Sequence, residues 1–297
     1  MNDKYRGYLK LTRFNEYVYF VLITTLLGVA TAGGPAGWRM LLVLVANWLT
    51  VGFAFMINDV EDAPDDALNP EKVQRNPVSA GLLTPTQARV ISFIVAFLAL
   101  ACFALLGWKV FVYGAISLFL GLVYSYHGIR LKKIAILDLA SHCWLLAGLQ
   151  FLTGYYAFAR LGTPRMIFPL AFVLCVSLYG ELFNELRDLE GDRKAGLRHT
   201  AIMLGEKWAH LLMLVILGIG VLCGVITFFF LELFPLWVII LMALLAFIQV
   251  LPILLKFRGG QTSMEIQTPM QKPLEKAAAL ALLVHFLMPV LLSLFQR

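Results

Sequence analysis

Charge is scarce in this chain. Only 14% of its 297 residues are Asp, Glu, Lys or Arg, where a typical soluble protein carries about 25%. A further 60% are hydrophobic, and that balance excludes a water-soluble globule. Cysteine is scarce too. Cys102, Cys143, Cys175 and Cys223 each sit alone inside an apolar run, so they build neither a disulfide framework nor a thiolate metal centre. Ionisable residues are almost missing from the middles of the apolar runs. That argues against a carrier, whose solute-binding groups lie near the bilayer midplane at interrupted helices. Low-complexity tracts and a polar second domain are lacking as well, and the stretch from Gly259 to Lys272 reads as a polar loop.

What is plentiful is apolar sequence in lengths near the ~20 residues that cross a bilayer as a helix. Nine spans are expected, at about 16–34, 39–57, 88–107, 110–126, 135–158, 166–184, 208–230, 235–255 and 277–295. The chain is therefore all-α and polytopic. Gly107-Trp108-Lys109 leaves room only for a tight hairpin between spans three and four, and spans seven and eight turn sharply near Glu232 and Pro235. The longer polar loops fall, by parity, on the side of the N-terminus. Nineteen of the 24 Lys and Arg residues lie on that side, so the positive-inside bias predicts a cytoplasmic N-terminus. Topology thus accounts for the net charge of +6, and no nucleic-acid partner is expected. Lys4, Arg6, Lys10 and Arg13, followed by an apolar run to Ala30-Thr31-Ala32, loosely resemble a cleavable signal. The basic region is long for one, and a retained first span is the expectation.

Two acidic stretches organise the rest. Asn58-Asp59-Val60-Glu61-Asp62-Ala63-Pro64-Asp65-Asp66 and Asn184-Glu185-Leu186-Arg187-Asp188-Leu189-Glu190-Gly191-Asp192 share one spacing: Asn, an acid at +1, Asp at +4 and Asp at +8. Each closes a long apolar run at the predicted cytoplasmic side. Positions four and eight apart stay on one helical face, so Asn58, Asp59, Asp62 and Asp66 form one candidate site and Asn184, Glu185, Asp188 and Asp192 a second. Glu61, Asp65 and Glu190 fall on other faces and are expected to be solvated. Carboxylates gathered at the mouth of an apolar protein repel one another unless hard cations sit between them. Magnesium suits such a place, because one or two carboxylates hold it and positions stay open for phosphate oxygens. Paired carboxylate helices, magnesium and a diphosphate follow. The repeat also predicts one domain, residues 1–297, of two four-helix pseudo-repeats facing across a central cavity, closed by a ninth helix.

These residues carry a family resemblance. The first stretch matches N-D-x-x-D-x-x-x-D, and the second matches the companion acidic motif, of the UbiA family of intramembrane prenyltransferases. Arg75-Asn76-Pro77-Val78-Ser79-Ala80-Gly81 resembles the family's R-P-x-x-S-G segment, and Arg193-Lys194-Ala195-Gly196 through Ile202-Met203-Leu204-Gly205 is similar to its D-R-x-x-G…LG tail. The resemblance implies a helical bundle around a lateral, lipid-open cavity. It also implies magnesium ions that bridge an isoprenyl diphosphate to the Asp motifs, and prenyl transfer to a small hydrophobic acceptor such as a quinone precursor or a carotenoid. Arg75, Arg193 and Lys194 would then take up charge on the leaving diphosphate. Tyr126, Arg130 and Lys132 resemble the family's Tyr-to-Lys segment, with Tyr126-x-x-x-Arg130 where some members have Tyr-x-x-x-Lys. Those loop residues serve equally well as topology signal.

Asp138 and Ser141, one turn apart at the start of span five, are placed on the cavity face; a pairing of Asp138 with Lys132 or Lys133 is the alternative. Their Leu-Asp-x-x-Ser pattern resembles members that act on carotenoids, such as lycopene elongases. His142 is either a general base or a packing residue. Trp48, Phe53, Phe55 and Trp144 are rings that could steady an allylic cation. Besides transfer to an acceptor, cyclisation of the prenyl diphosphate within the same family and, less readily, transport stay open. The acceptor, the prenyl chain length and the oligomeric state are not encoded in any motif.

Overall fold

The structure, a computed structural model, describes residues 3–194, 196–256 and 263–295, with the side chains of Asp3, Glu71, Lys194, Ser263, Leu294 and Phe295 outside that description. The described residues form helices and connecting turns, with no strand among them. A short α1 (Asp3–Thr12) meets α2 (Phe14–Thr31) at Arg13, whose φ of 46° breaks the helix. The 29-residue α3 (Trp38–Asp66) carries the whole first acidic stretch, and α4 (Pro70–Arg75) folds back behind it. At the start of α5 (Pro85–Leu106), the Thr84 hydroxyl accepts the Gln87 N–H at 3.2 Å and the Gln87 side chain accepts the Thr84 N–H at 3.1 Å. This reciprocal cap, with Pro85 pre-set for the first turn, fixes the entry of the span. Gly107 alone separates α5 from α6 (Trp108–Ser125), at a φ of 121° that only glycine adopts without strain. The expected tight hairpin is thus a one-residue turn.

Span five is α7 (Leu137–Cys143), a π-turn over Trp144–Gly148, and α8 (Leu149–Tyr156). It carries the one correction to the expected count. Eight helices among the described residues are long and apolar enough to cross a membrane. The run from Leu137 to Tyr156 is helical throughout, but Asp138, His142 and Gln150 make it more polar than the others. Gln150 Nε2 donates to the Leu145 carbonyl within the π-turn at 2.8 Å and to Ser117 Oγ at 3.1 Å. After it come α9 (Ile167–Arg187), α10 (Leu189–Lys194), α11 (Thr200–Leu204) and α12 (Glu206–Val225). The chain ends with α13 (Leu236–Leu254), α14 (Ser263–Gln267) and α15 (Gln271–Phe295).

In the core, α2 packs on α8, α3 on α5, α9 on α12 and α13 on α15. The α2–α8 contact is backbone against backbone. A Cβ on Gly28 would lie 2.2 Å from the Phe151 carbonyl oxygen, and one on Gly154 would lie 2.4 Å from that of Thr25. Small residues allow this close approach where lipid offers no hydrophobic drive between helices. Asn47 locks the same contact, donating to Thr25 Oγ1 at 2.7 Å and accepting from Thr153 Oγ1 at 2.9 Å. Exposed Phe97, Leu222, Phe247 and Ile248 give the bundle the apolar exterior that lipid requires. The helix ends sort as parity predicts. Arg39 donates to the carbonyls of Leu106 and Ala157 at one end. At the other, Lys10 donates to the Gln74 carbonyl and the Ile136 N–H to Thr200 Oγ1.

Candidate active site

The two acidic helices deliver Asn58 (α3) and Asn184 (α9) to the wall of a single cavity of about 850 Å³. Arg13, Glu16 and Arg75 also line it, while Leu27, Phe172, Phe228, Met242 and Leu282 make much of its wall apolar. Along α3 the motif residues divide. Asn58 Oδ1 accepts from Lys132 Nζ at 2.7 Å and from Ser125 Oγ at 3.0 Å. One turn on, Asp62 accepts from Lys132 and, at 2.7 Å, from Arg130. Asp66 accepts from Asn76 Nδ2 at 2.9 Å. Asp59 turns into the protein instead. It is 2% exposed, it pairs with Arg13 at 3.1 Å, and its Oδ2 has no partner. Asn76 also donates to the Asp59 carbonyl, and Ser79 to that of Ala63. The segment after the first motif is therefore a clasp around the last turn of α3.

Identical spacing does not give identical geometry in the second stretch. The helix bends at Asp188, between α9 and α10. Asp188 is 53% exposed and pairs with its neighbour Arg187 at 2.9 Å, whereas Asp192 reaches His199 at 3.2 Å. Glu185, like Asp59, turns inward. It accepts the Ala201 N–H at 2.9 Å and faces His199 Nδ1 at 3.2 Å. Burial alone would lower the His199 pKa, but Asp192 and Glu185 outweigh it and push it up to about 9.

Several expected placements change. Glu61 is not solvated: it takes the His127 backbone N–H at 3.2 Å and ring Nδ1 at 2.9 Å, and pairs with Arg89. Asp65 is half exposed yet bound to Arg130 at 2.7 Å. The loop after α6 contributes more than a topology signal, since Arg130 and Lys132 both clamp the first motif. Burial pulls the Lys132 ammonium below the ordinary lysine range, with Asp62 opposing. Tyr126 is 49% exposed and Arg193 is exposed; neither lines the cavity. Asp138 is also off the cavity wall and pairs with neither Lys132 nor Lys133. Its carboxylate accepts the Thr200 N–H at 2.6 Å, the Thr200 hydroxyl and the Leu139 N–H at 2.7 Å. Ser141 bonds back to the Leu137 carbonyl. Asp138, Glu185 and His199 bring ligand atoms within 4.8 Å of one another. Backbone N–H groups at the start of α11 already occupy those carboxylates, so the trio is a staple holding α11 to α7 and α9. Of the four rings expected near a cation, Phe55 alone lines the cavity, stacked on Tyr17 at 5.1 Å with Arg13 4.7 Å above it.

Residues 21–263 match the model of the UbiA prenyltransferase family. The chain belongs to that family. It is a membrane-embedded, multi-pass prenyltransferase with the all-helical UbiA architecture. This UbiA protein is 27% identical to the digeranylgeranylglyceryl phosphate synthase of Sulfolobus acidocaldarius over 229 residues, which is 75% of this chain and 78% of that protein. It is 31% identical to the lycopene elongase/hydratase of Haloferax volcanii over 156 residues, 52% of this chain and 49% of that one. Among solved structures, a UbiA homolog from Archaeoglobus fulgidus bound to GPP and Mg2+ shares the fold with a TM-score of 0.69 at 20% identity, covering 94% of this chain and 99% of that one. The apo UbiA homolog from Aeropyrum pernix K1 gives 0.71 at 17% identity, covering 93% and 98%.

Sequence reasoning missed Arg13, Glu16 and Glu181 as cavity residues. Arg13 and Glu16 look like the tail of a basic N-terminal segment, yet they pair with each other, and Glu16 with Arg75 at 3.0 Å. Glu181 did leave a signal, as a carboxylate inside the apolar run that ends at Phe183.

Proposed function

We propose that this prenyltransferase takes an isoprenyl diphosphate with its diphosphate between the two acidic motifs and its hydrocarbon in the apolar part of the cavity. The prenyl group then passes to a hydrophobic acceptor. The observation that carries the reading is that Asn58 and Asn184, equivalent positions of the two motifs, open onto one cavity that also presents Arg13 and Arg75. The donor set fits magnesium, being all hard oxygen. Asn58 and Asp62 already converge their oxygens on one cation, the Lys132 ammonium. Asn58, Asp62 and Asp66 would hold magnesium at one side; at the other, Asn184 lines the cavity, and Asp188 and Asp192 would join it by turning from Arg187 and His199. Asp59 and Glu185, buried and paired with Arg13 and His199, would fix the motif helices rather than ligate. A bound magnesium ion supplies neutralisation of diphosphate charge. Arg75, Arg130 and Lys132 add preorganised positive charge where the carbon–oxygen bond breaks. The apolar lining, from Leu27 to Phe172, Phe228 and Leu282, keeps water from the allylic cation.

The helix pairings, α3 with α5 and α9 with α12, support the reading of two pseudo-repeats. The basic residues at the motif end support a cytoplasmic mouth. The test is to incubate the purified protein with magnesium, labelled prenyl diphosphates and an acceptor panel of lycopene, homogentisate and geranylgeranylglyceryl phosphate. A prenylated acceptor is the expected product. A cyclic hydrocarbon or alcohol with every donor would instead make the chain a cyclase, and no diphosphate release from any donor would overturn both readings.

A further inference from the structure

Transfer of a prenyl cation to a neutral acceptor ends with a proton to be removed, and neither acidic motif supplies a group for it inside the cavity. Deeper in the span than Asn184, three helices bring Tyr124 (α6), His142 (α7) and Glu181 (α9) together on the cavity wall. His142 Nδ1 lies 3.3 Å from Glu181 Oε2. Tyr124 Oη donates to the other carboxylate oxygen at 3.4 Å, and the two rings lie 6.3 Å apart. Among the described residues no lysine or arginine pairs with Glu181. A carboxylate inside a span without such a partner is a functional candidate by default. With Nδ1 turned to the carboxylate, Nε2 is the ring nitrogen left for a substrate proton, and the second-group contact sets which nitrogen is which.

We infer that His142, oriented by Glu181 and Tyr124, accepts the proton lost by the prenylated acceptor. This rests on the prenyl-transfer reading above. The donor's C1–O bond breaks and its electron pair leaves on the diphosphate. C1 bonds to a π-electron pair or hydroxyl oxygen of the acceptor. The acceptor's C–H or O–H electrons then restore neutrality as the proton moves to His142 Nε2. The Glu181 carboxylate compensates the charge that the ring gains, and the proton leaves to water through the polar mouth. Nothing is oxidised or reduced.

The test uses the full chain with magnesium, labelled geranylgeranyl or dimethylallyl diphosphate and whichever panel acceptor the wild type prenylates, measuring diphosphate release and prenylated product separately. In His142→Ala, product formation should fall by about 10²- to 10⁴-fold, the range for a positioned proton acceptor. Diphosphate release should fall far less, with the difference recovered as prenyl alcohol from water capture. Added imidazole should restore product in His142→Ala but not in Glu181→Gln, which a packing role would not produce. Retained diphosphate release certifies the fold. If His142→Ala loses it, His142→Gln, which keeps a polar side chain beside Glu181, is judged by the same ratio. A wild-type ratio of product to diphosphate in a variant that still releases diphosphate overturns the assignment, as does failure of imidazole to change that ratio. A wild type that releases no diphosphate sinks the transfer reading itself, and this one with it.

Discussion

Gly28→Ala tests the seam on which the position of span five depends. The new Cβ would sit 2.2 Å from the Phe151 carbonyl oxygen, and such contacts essentially never fall below 3.0 Å, so α2 and α8 must part by about 0.8 Å. A gap of that size forfeits roughly a quarter to a half of the dispersion well for each contact across the seam. It also pulls on Asn47, which reaches Thr25 on α2 and Thr153 on α8 with bonds of 2.7 and 2.9 Å. Overpacking of about 1–3 kcal/mol and one weakened buried hydrogen bond of about 1 kcal/mol together predict a loss of about 2–4 kcal/mol. Gly154→Ala meets Thr25 O at 2.4 Å and needs nearly the same opening. One displacement relieves both, so the double variant should cost well under the sum of the singles. Denaturant unfolding in mild detergent, followed by tryptophan fluorescence, measures all three. An unchanged Gly28→Ala midpoint, or costs that simply add, would refute the backbone-to-backbone seam.

Asp62→Ala and Asp188→Ala should each abolish turnover at saturating magnesium while expression and membrane insertion persist; near-normal activity in either removes its motif from the metal site. Arg75→Ala should lower turnover on the order of 10²-fold for every prenyl donor alike, and a change in acceptor preference with diphosphate release intact would show that Arg75 acts on the acceptor instead. Asp138→Ala strips the start of α11 of its cap, so a loss of about 1.5–3 kcal/mol in unfolding measurements is expected, with acceptor preference unchanged; altered preference at full stability would return Asp138 to the substrate. Cysteines placed at Asp65 and Glu190 should react with impermeant thiol reagents from the cytoplasmic face alone, and external labelling at either would break the paired-site arrangement.

Much of this was legible in the sequence because membranes make hydrophobicity a nearly complete code for helix placement. The Gly107 hairpin, the motif ends and the parity of the loops all follow from apolar run length. Span five was the exception. Its polar side chains lie within a helical run, and a π-turn leaves no mark in residue spacing. The site was legible as chemistry but less so as orientation. A period of four places Asn58 and Asp62 together correctly, but it cannot show that Asp59 and Glu185 turn inward, because their partners Arg13 and His199 come from distant segments. Nor does spacing reveal the bend at Asp188, which sends Asp188 outward and Asp192 to His199.

The π-turn at Trp144–Gly148 bears on how span five can be re-aimed. Its two ends answer to different neighbours, α8 to the glycine seam with α2 and α7 to Thr200 and Glu181. One residue in a helix corresponds to 100° of rotation. The extra residue therefore behaves as a phase shifter between two rigid halves, and its removal would swing His142 about a quarter turn round the axis while the seam stayed closed. A lineage that moved this single insertion along the span could present a different face of α7 to the substrate and leave the α2–α8 seam unaltered, at the cost of the Asp138 tie to α11.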